Sequence, residues 1–542
     1  MRKFLALLIF SLALISCQEP ANKTQADMLV FAESIYLSDT GQAQAMAIKD
    51  GKVMATGSRQ EIEEHYQSPI IKAFEGMHIY PGFNDAHAHF VGYARGLGRV
   101  NLMGTKSWDE CLQRVQAFAE RTESDYIIGR GWDQNDWEQK EYPTRAELDS
   151  MFPNIPVVLK RVDGHAALAN QAALDFSGIK ASTFVDGGAL LKNEQGLSGI
   201  LIDNAVGLIK EPVLDEAQEK ALILRAQEHC LQQGLTSITD AGLTKREIEI
   251  IKDLVESDSL KIRLNLMVSD DSASIAYYFN QEPIETPKLR VKTVKFYLDG
   301  ALGSTGALLL EEYSDDPGNY GLQLKPLDYF EMMADSLAHQ GWQMAVHAIG
   351  DSANRMVSYL FGIGHIHNPD HRWRIEHAQI VHPEDLAILK EIKAIPSIQP
   401  THATSDMYWA EDRLGAERIQ YAYSAKTFLN AGLVLPLGTD FPVEDINPMY
   451  TLRAAMYRQD AAGYPPGGFR PQEALSFDEA IRGMTWSGAY ASFEEDVKGL
   501  LEVGYYADFI VVKEDLAQVP VEKMGAVEIV ATAVDGEFWY SH

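Results

Sequence analysis

Cysteine is scarce: Cys17, Cys111 and Cys230 are the only three in a chain of 542 residues. That excludes a disulfide-stapled scaffold and leaves a large hydrophobic core to hold the molecule together. Neither Cys111 nor Cys230 has a partner at metal-ligand spacing, so they read as buried thiols or one disulfide. Basic charge is also short. Lys and Arg total 47 against 77 Asp and Glu, a net charge of −30, which repels polyanions and gives no reason to expect a nucleic-acid partner. After Ile15 no run approaches the ~18 apolar residues of a membrane span. No internal repeat, low-complexity tract or glycine-rich loop with a neighbouring lysine is present, and Gly300, Gly303 and Gly306 read as a barrel loop rather than a nucleotide site.

The N-terminus differs in kind from the rest. Arg2 and Lys3 precede the apolar run from Phe4 to Ile15, followed by Ser16 and Cys17. A positive start, a short apolar core and a small residue before the cut describe a secretory signal. Leu14-Ile15-Ser16-Cys17 resembles a bacterial lipobox, which implies cleavage before Cys17 and acylation of its thiol. Residues 1–17 are therefore expected to be a lipoprotein signal peptide and 18–27 a polar tether. The protein is expected to be exported and lipid-anchored at the envelope of a Gram-negative cell, with that anchor its sole link to a membrane.

Beyond the tether the texture is β-rich from Met28 to about residue 80, and again from about 498 to 542. These two segments are expected to form one small composite domain. Between them, apolar strands alternate with helical patterns, which points to a parallel sheet wrapped by helices. Eight strands can be read: MHIYPGFNDAH, LTSITDAG, IRLNLMVS, VKTVKFYLD, WQMAVHAIG, RWRIEHAQ, AIPSIQP and LVLPLGTD. Eight such units fit a closed (β/α)₈ TIM-like barrel over residues 81–497. The stretch from about 91 to 235 is too long for one crossover and must carry an inserted substructure.

In such a barrel the reactive groups sit at the C-terminal ends of strands, and the polar outliers of this sequence fall there. His87 and His89 are separated by one residue, so strand alternation turns both to one side. Lys295, His347, His377 and Asp440 then emerge one per strand from apolar runs. Imidazoles and carboxylates suit a divalent metal, with Zn²⁺ first among Mn²⁺, Fe²⁺ and Ni²⁺, one or two ions, and the absence of cysteine ligands disfavours a purely structural zinc. Asp440 is placed to take a proton from a metal-acidified water and return it to a leaving amine. Trp132, Gln134, His165 and His402 are further candidates for touching a small-molecule substrate. The group His365, His367 and His371 lies in a polar connection and reads as solvated.

The strings PGFNDAHAHF, VKFYLDGALGS, AVHAIGD, RIEHAQ, LGTDFPVE and ADFIVV resemble the amidohydrolase superfamily, and within it the branch that contains N-substituted formamide deformylases. The resemblance implies His87, His89 and Asp440 on one metal, His347 and His377 on a second, and a carboxylated Lys295 bridging them. It also implies that the two chain ends form a small β-sandwich. One departure is Thr305, where the branch often has Arg. The expected activity is hydrolysis of a carbon-nitrogen bond in an amide, an N-formyl or N-acyl amine, or a cyclic amide. A heterocycle deaminase and a non-catalytic lipid-anchored binding protein are the competing readings, and Lys295 argues against the first. A homodimer is left open.

Overall fold

A computed structural model describes residues 23–38, 41–122, 124–161, 166–185, 188–194 and 196–542. The expected leader, Cys17, the first part of the expected tether and His165 lie outside the described residues. No helix among those described is long and apolar enough to cross a membrane.

Seven parallel strands form the barrel wall: β1 (Phe83–Ala88), β2 (Leu235–Leu243), β3 (Arg263–Ser269), β4 (Leu289–Tyr297), β5 (Gln343–Ala348), β6 (Arg374–His377) and β7 (Ile395–Ser397). Helices follow them, among them Lys245–Glu256 after β2, Leu327–Gln340 after β4 and Asp351–His367 after β5. The eighth expected strand, LVLPLGTD, is reduced to a hydrogen-bonded segment. Ile398 N donates to Pro436 O and Gly438 N to Ile398 O on one side, while Ala86 N donates to Leu437 O and Asp440 N to His87 O on the other. This segment closes the barrel between β7 and β1; Pro436 has no N–H to give and cannot sustain a full ladder. Gly438 is required at the seam, because a Cβ there would meet His87 N at 2.6 Å.

Strand alternation sorts the wall. On β4, Val294 and Phe296 pack into the large apolar cluster between strands and helices, so Thr293 and Lys295 face the barrel interior. On β5, Met344 and Val346 belong to that same cluster, which turns Ala345 and His347 inward.

The string MHIYPGFNDAH, read as one strand, is two. Ile70–Pro81 belongs to a different sheet, and β1 begins at Phe83. Gly82 stands at the junction, where a Cβ would lie 2.3 Å from the Thr236 side chain. Ile70–Pro81 lies in a seven-stranded sheet with Met28–Ser38, Gly41–Lys49 and Lys52–Gly57 from the N-terminal side, and Phe509–Val512, Ile529–Val534 and Glu537–Ser541 from the C-terminal side. Phe509 and Val511 pack within this sheet's own cluster, while Ile510 and Val512 pack on the barrel. A buried ion pair adds to that seam: Arg263, at the start of β3, donates to Asp508 at 2.6 and 2.9 Å. Residues 100–203 hold a separate six-stranded mixed sheet with its own core, between β1 and β2.

Candidate metal centre

The rim at the C-terminal ends of the strands collects imidazoles around one carboxylate. His89 Nε2 lies 3.1 Å from Asp440 Oδ1, His87 Nε2 lies 3.7 Å from it, and His402 Nε2 lies 3.6 Å from Asp440 Oδ2. The His87 and His377 rings are 4.8 Å apart, and His377 and His347 are 4.6 Å apart. His87, His377 and Asp440 each bring one ligand atom within 4.8 Å of the others. Lys295 Nζ sits 5.1 Å above the Tyr297 ring. Two of the residues that do this are held in left-handed backbone, His377 at φ 73° and Asp440 at φ 62°, a strain that clusters at functional sites.

Supporting side chains decide which nitrogen each imidazole presents. His87 Nδ1 donates to Glu376, whose other partner is Arg374 at 2.7 Å, and all three are buried. His377 Nδ1 donates to Gln399 Oε1 at 2.8 Å. Each bond leaves a lone pair on Nε2, the arrangement in which a carboxylate or amide orients a metal-ligating histidine. Among the described residues, His87 Nε2, His347 Nε2 and Lys295 Nζ are buried without a hydrogen-bond partner. Nitrogen and oxygen donors with free lone pairs, converging on one point, fit a divalent cation.

The electrostatics agree. Burial, and then Lys295, pushes His87 down to about 4 and His347 to about 3, so both imidazoles are neutral. Burial likewise takes His377 well below the usual range. Asp440 is pushed up by burial, but the hydrogen bond from His89 and the neighbouring His87 and His402 imidazoles outweigh that and hold it ionised well below the carboxylate range. Burial lowers Lys295 to about 8, within reach of a neutral amine.

The layer that supports these ligands carries no motif in the sequence. Besides Glu376 and Gln399, Asp85 accepts from Thr439 N at 3.0 Å and Thr439 Oγ1 at 2.6 Å, tying the ends of β1 and the closing segment together. Asp299 accepts from the backbone N–H groups of Leu308, Ile349 and Gly350, so it organises the loops after β4 and β5. A carboxylate inside an apolar run was the available signal, in RIEHAQ as in FNDAH.

The substrate candidates separate. His402 joins the centre, its ring stacked 5.8 Å from His377. Trp132 is fully buried in the inserted sheet's own core, its indole N–H donating to Leu159 O at 2.8 Å. Gln134 is buried there too and accepts from Arg161 at 2.9 Å. The expected solvated group of histidines also divides: His371 is buried, its Nε2 donating to Ile392 O at 2.7 Å, because the turn after Asp351–His367 folds it under the helix. Exposed His367 instead faces Asp335 and His339 on the outer helices. Thr305 lies in the loop after β4 with φ 56°, and Gly300 and Gly306 touch across that loop's neck, Gly300 N donating to Gly306 O at 3.1 Å.

A family model described as "Amidohydrolase family" matches residues 74–540. The chain is 32% identical to Protein LONG AFTER FAR-RED 3 of Arabidopsis thaliana, over 95% of this chain and 92% of that protein. It is 24% identical to an N-substituted formamide deformylase of Arthrobacter pascens, over 95% and 98%. Among solved structures it is similar to an uncharacterized metal-dependent hydrolase from Pyrococcus horikoshii OT3, at TM-score 0.76 and 27% identity, covering 91% of this chain and 99% of that one.

Proposed function

Since the chain belongs to the amidohydrolase family, a family of metal-dependent hydrolases on this barrel, we propose that it hydrolyses a carbon-nitrogen bond of an amide, an N-formyl or N-acyl amine, or a cyclic amide. The observation that carries this is the ionised Asp440 among His87, His89 and His402, on the rim where His347, His377 and Lys295 also converge. The relative named as a formamide deformylase supports the N-formyl class.

His87, His89, His347, His377 and Asp440 would hold one or two divalent ions, Zn²⁺ first among them. Such an ion supplies Lewis acidity, which polarises a carbonyl and acidifies water toward a pKa of about 7. Asp440 would take a proton from the attacking water at its carboxylate and pass it to the nitrogen of the leaving amine. His402, across from Asp440, is placed to donate to the substrate or to hold the carboxylate in position. Lys295, buried and unpaired, is suited to add its neutral amine to CO₂ with loss of a proton; the resulting carbamate would give this side chain an anionic group able to help hold the metal, which an ammonium cannot do. The leader at residues 1–17 supports export and attachment of the enzyme through an acylated Cys17.

Metal analysis of the purified protein followed by a screen of N-formyl and N-acyl amines tests the reading. One or two divalent ions per chain and metal-dependent release of amine are expected. A folded protein that retains its turnover after complete removal of metal overturns it.

A further inference from the structure

A buried arginine borders a narrow cavity whose wall also includes His377 and His402 of the candidate metal centre. That cavity is lined by His377, Gln379, Gln399, His402, Ser424 and Arg458, among others. Arg458 is 2% exposed. Its Nε donates to Phe469 O at 3.0 Å, while among the described residues its second terminal nitrogen, Nη2, has no hydrogen-bond partner. The acidic group acting on it is Glu473, but that carboxylate is committed elsewhere. It accepts from Thr427 N at 3.0 Å and Thr427 Oγ1 at 2.7 Å, and lies 3.5 Å from Arg470. Two buried guanidiniums therefore share one carboxylate, leaving positive charge uncompensated.

Position adds to charge. Arg458 ends the helix Pro448–Tyr457 in left-handed backbone at φ 56°, and Phe469 N donates to its carbonyl at 2.7 Å. The backbone is thus clamped on both sides of the side chain, which holds the guanidinium in place. A buried guanidinium that lacks an anion is costly unless one is supplied, and its planar fork matches a carboxylate. In a chain of net charge −30 this is a local exception, and it lies on the cavity that His377 and His402 also line.

We propose that Arg458 binds a carboxylate carried by the substrate, so that the amide hydrolysed is an acyl derivative of an amino acid or of another acid-bearing amine. This rests on the amide hydrolysis proposed above. The same chemistry could be offered by the carboxylic acid released on hydrolysis, and paired substrates separate the two sources.

The metal-loaded wild type and Arg458→Met are compared on N-formylglycine and on N-formylethylamine, which lacks the carboxylate. In the wild type the acidic compound is expected to have the higher kcat/KM. In the variant its KM should rise about tenfold or more, the size of a lost charged hydrogen bond, with the neutral compound nearly unchanged. Equal losses on both compounds, as for an arginine that only supports the fold or grips the released acid, overturn the proposal. A second readout does not need turnover: N-acetylglycine and its uncharged counterpart N-acetylglycinamide are titrated calorimetrically against both proteins. Tighter binding of the acid by the wild type, abolished in Arg458→Met, supports the subsite even if no amide is cleaved and the activity reading falls. A preference that survives the substitution, as when the metal alone holds the carboxylate, overturns it. Should Arg458→Met fail to fold, Arg458→Lys and the wild-type preference decide: an enzyme that binds and turns over the neutral compounds better than the acids lacks this subsite.

Discussion

Asp440 keeps its charge in a buried position because three imidazoles surround it, and that charge is what the proposed proton transfer needs. Asp440→Asn preserves the shape and removes the base. Turnover is expected to fall by about 10² or more, measured on whichever N-acyl or N-formyl amine the screen identifies; near-wild-type turnover would remove Asp440 from the mechanism. Lys295 poses a different question. Its amine is buried, its neighbours Val294 and Phe296 point to the opposite face, and no carboxylate neutralises it by direct contact among the described residues. Lys295→Ala is expected to lose metal and activity together, with small carboxylates in excess restoring part of both. Mass spectrometry of the native protein should find the added CO₂ on this side chain. Full retention of metal and activity by the alanine variant would show that the lysine has no part in the centre.

At the level of elements, the seam between the barrel and the seven-stranded sheet depends on a residue no motif announces. Arg263 is 2% exposed and reaches Asp508 and Asp535 on the far sheet, with its guanidinium 3.8 Å from the Tyr506 ring centre. Removing one partner leaves the other charge buried and uncompensated. Arg263→Ala is expected to cost about 3–5 kcal/mol, read as a lower midpoint in urea denaturation. A cost below about 1 kcal/mol, typical of exposed pairs, would mean that apolar packing of Ile510 and Val512 carries the seam alone. The inserted sheet of residues 100–203 behaves differently: its cores are its own, and Trp132 serves that packing and not the rim.

Across the whole molecule, the proposed lipid anchor makes one prediction about place. Cys17→Ala should release the protein from membranes and abolish an acylated N-terminal peptide in mass spectrometry, while an equally membrane-bound variant would remove the anchor. The barrel itself was legible from the alternation of apolar runs with helical segments, because strand and helix periodicities are local and survive in one dimension. The rim histidines, Lys295 and Asp440 were legible for the same reason: each is a polar residue at or near the C-terminal end of an apolar run, and the strand-end rule converts position along the chain into position in space. What could not be read is everything set by neighbours distant in sequence. Glu376 looks like any strand carboxylate until β6 brings it against His87, 289 residues away in the chain. His371 looks solvated until a turn buries it, and Trp132 looks like a substrate contact until the inserted sheet closes over it. Arg458 is an ordinary arginine after a helix in the sequence. Only the folded cavity wall, with Glu473 already spent on Thr427 and Arg470, leaves it a buried charge beside His377 and His402. Local periodicity thus determined the elements and the ends at which chemistry collects, whereas burial and pairing, which set charge and role, arise from contacts between remote segments and were decided by the tertiary structure alone.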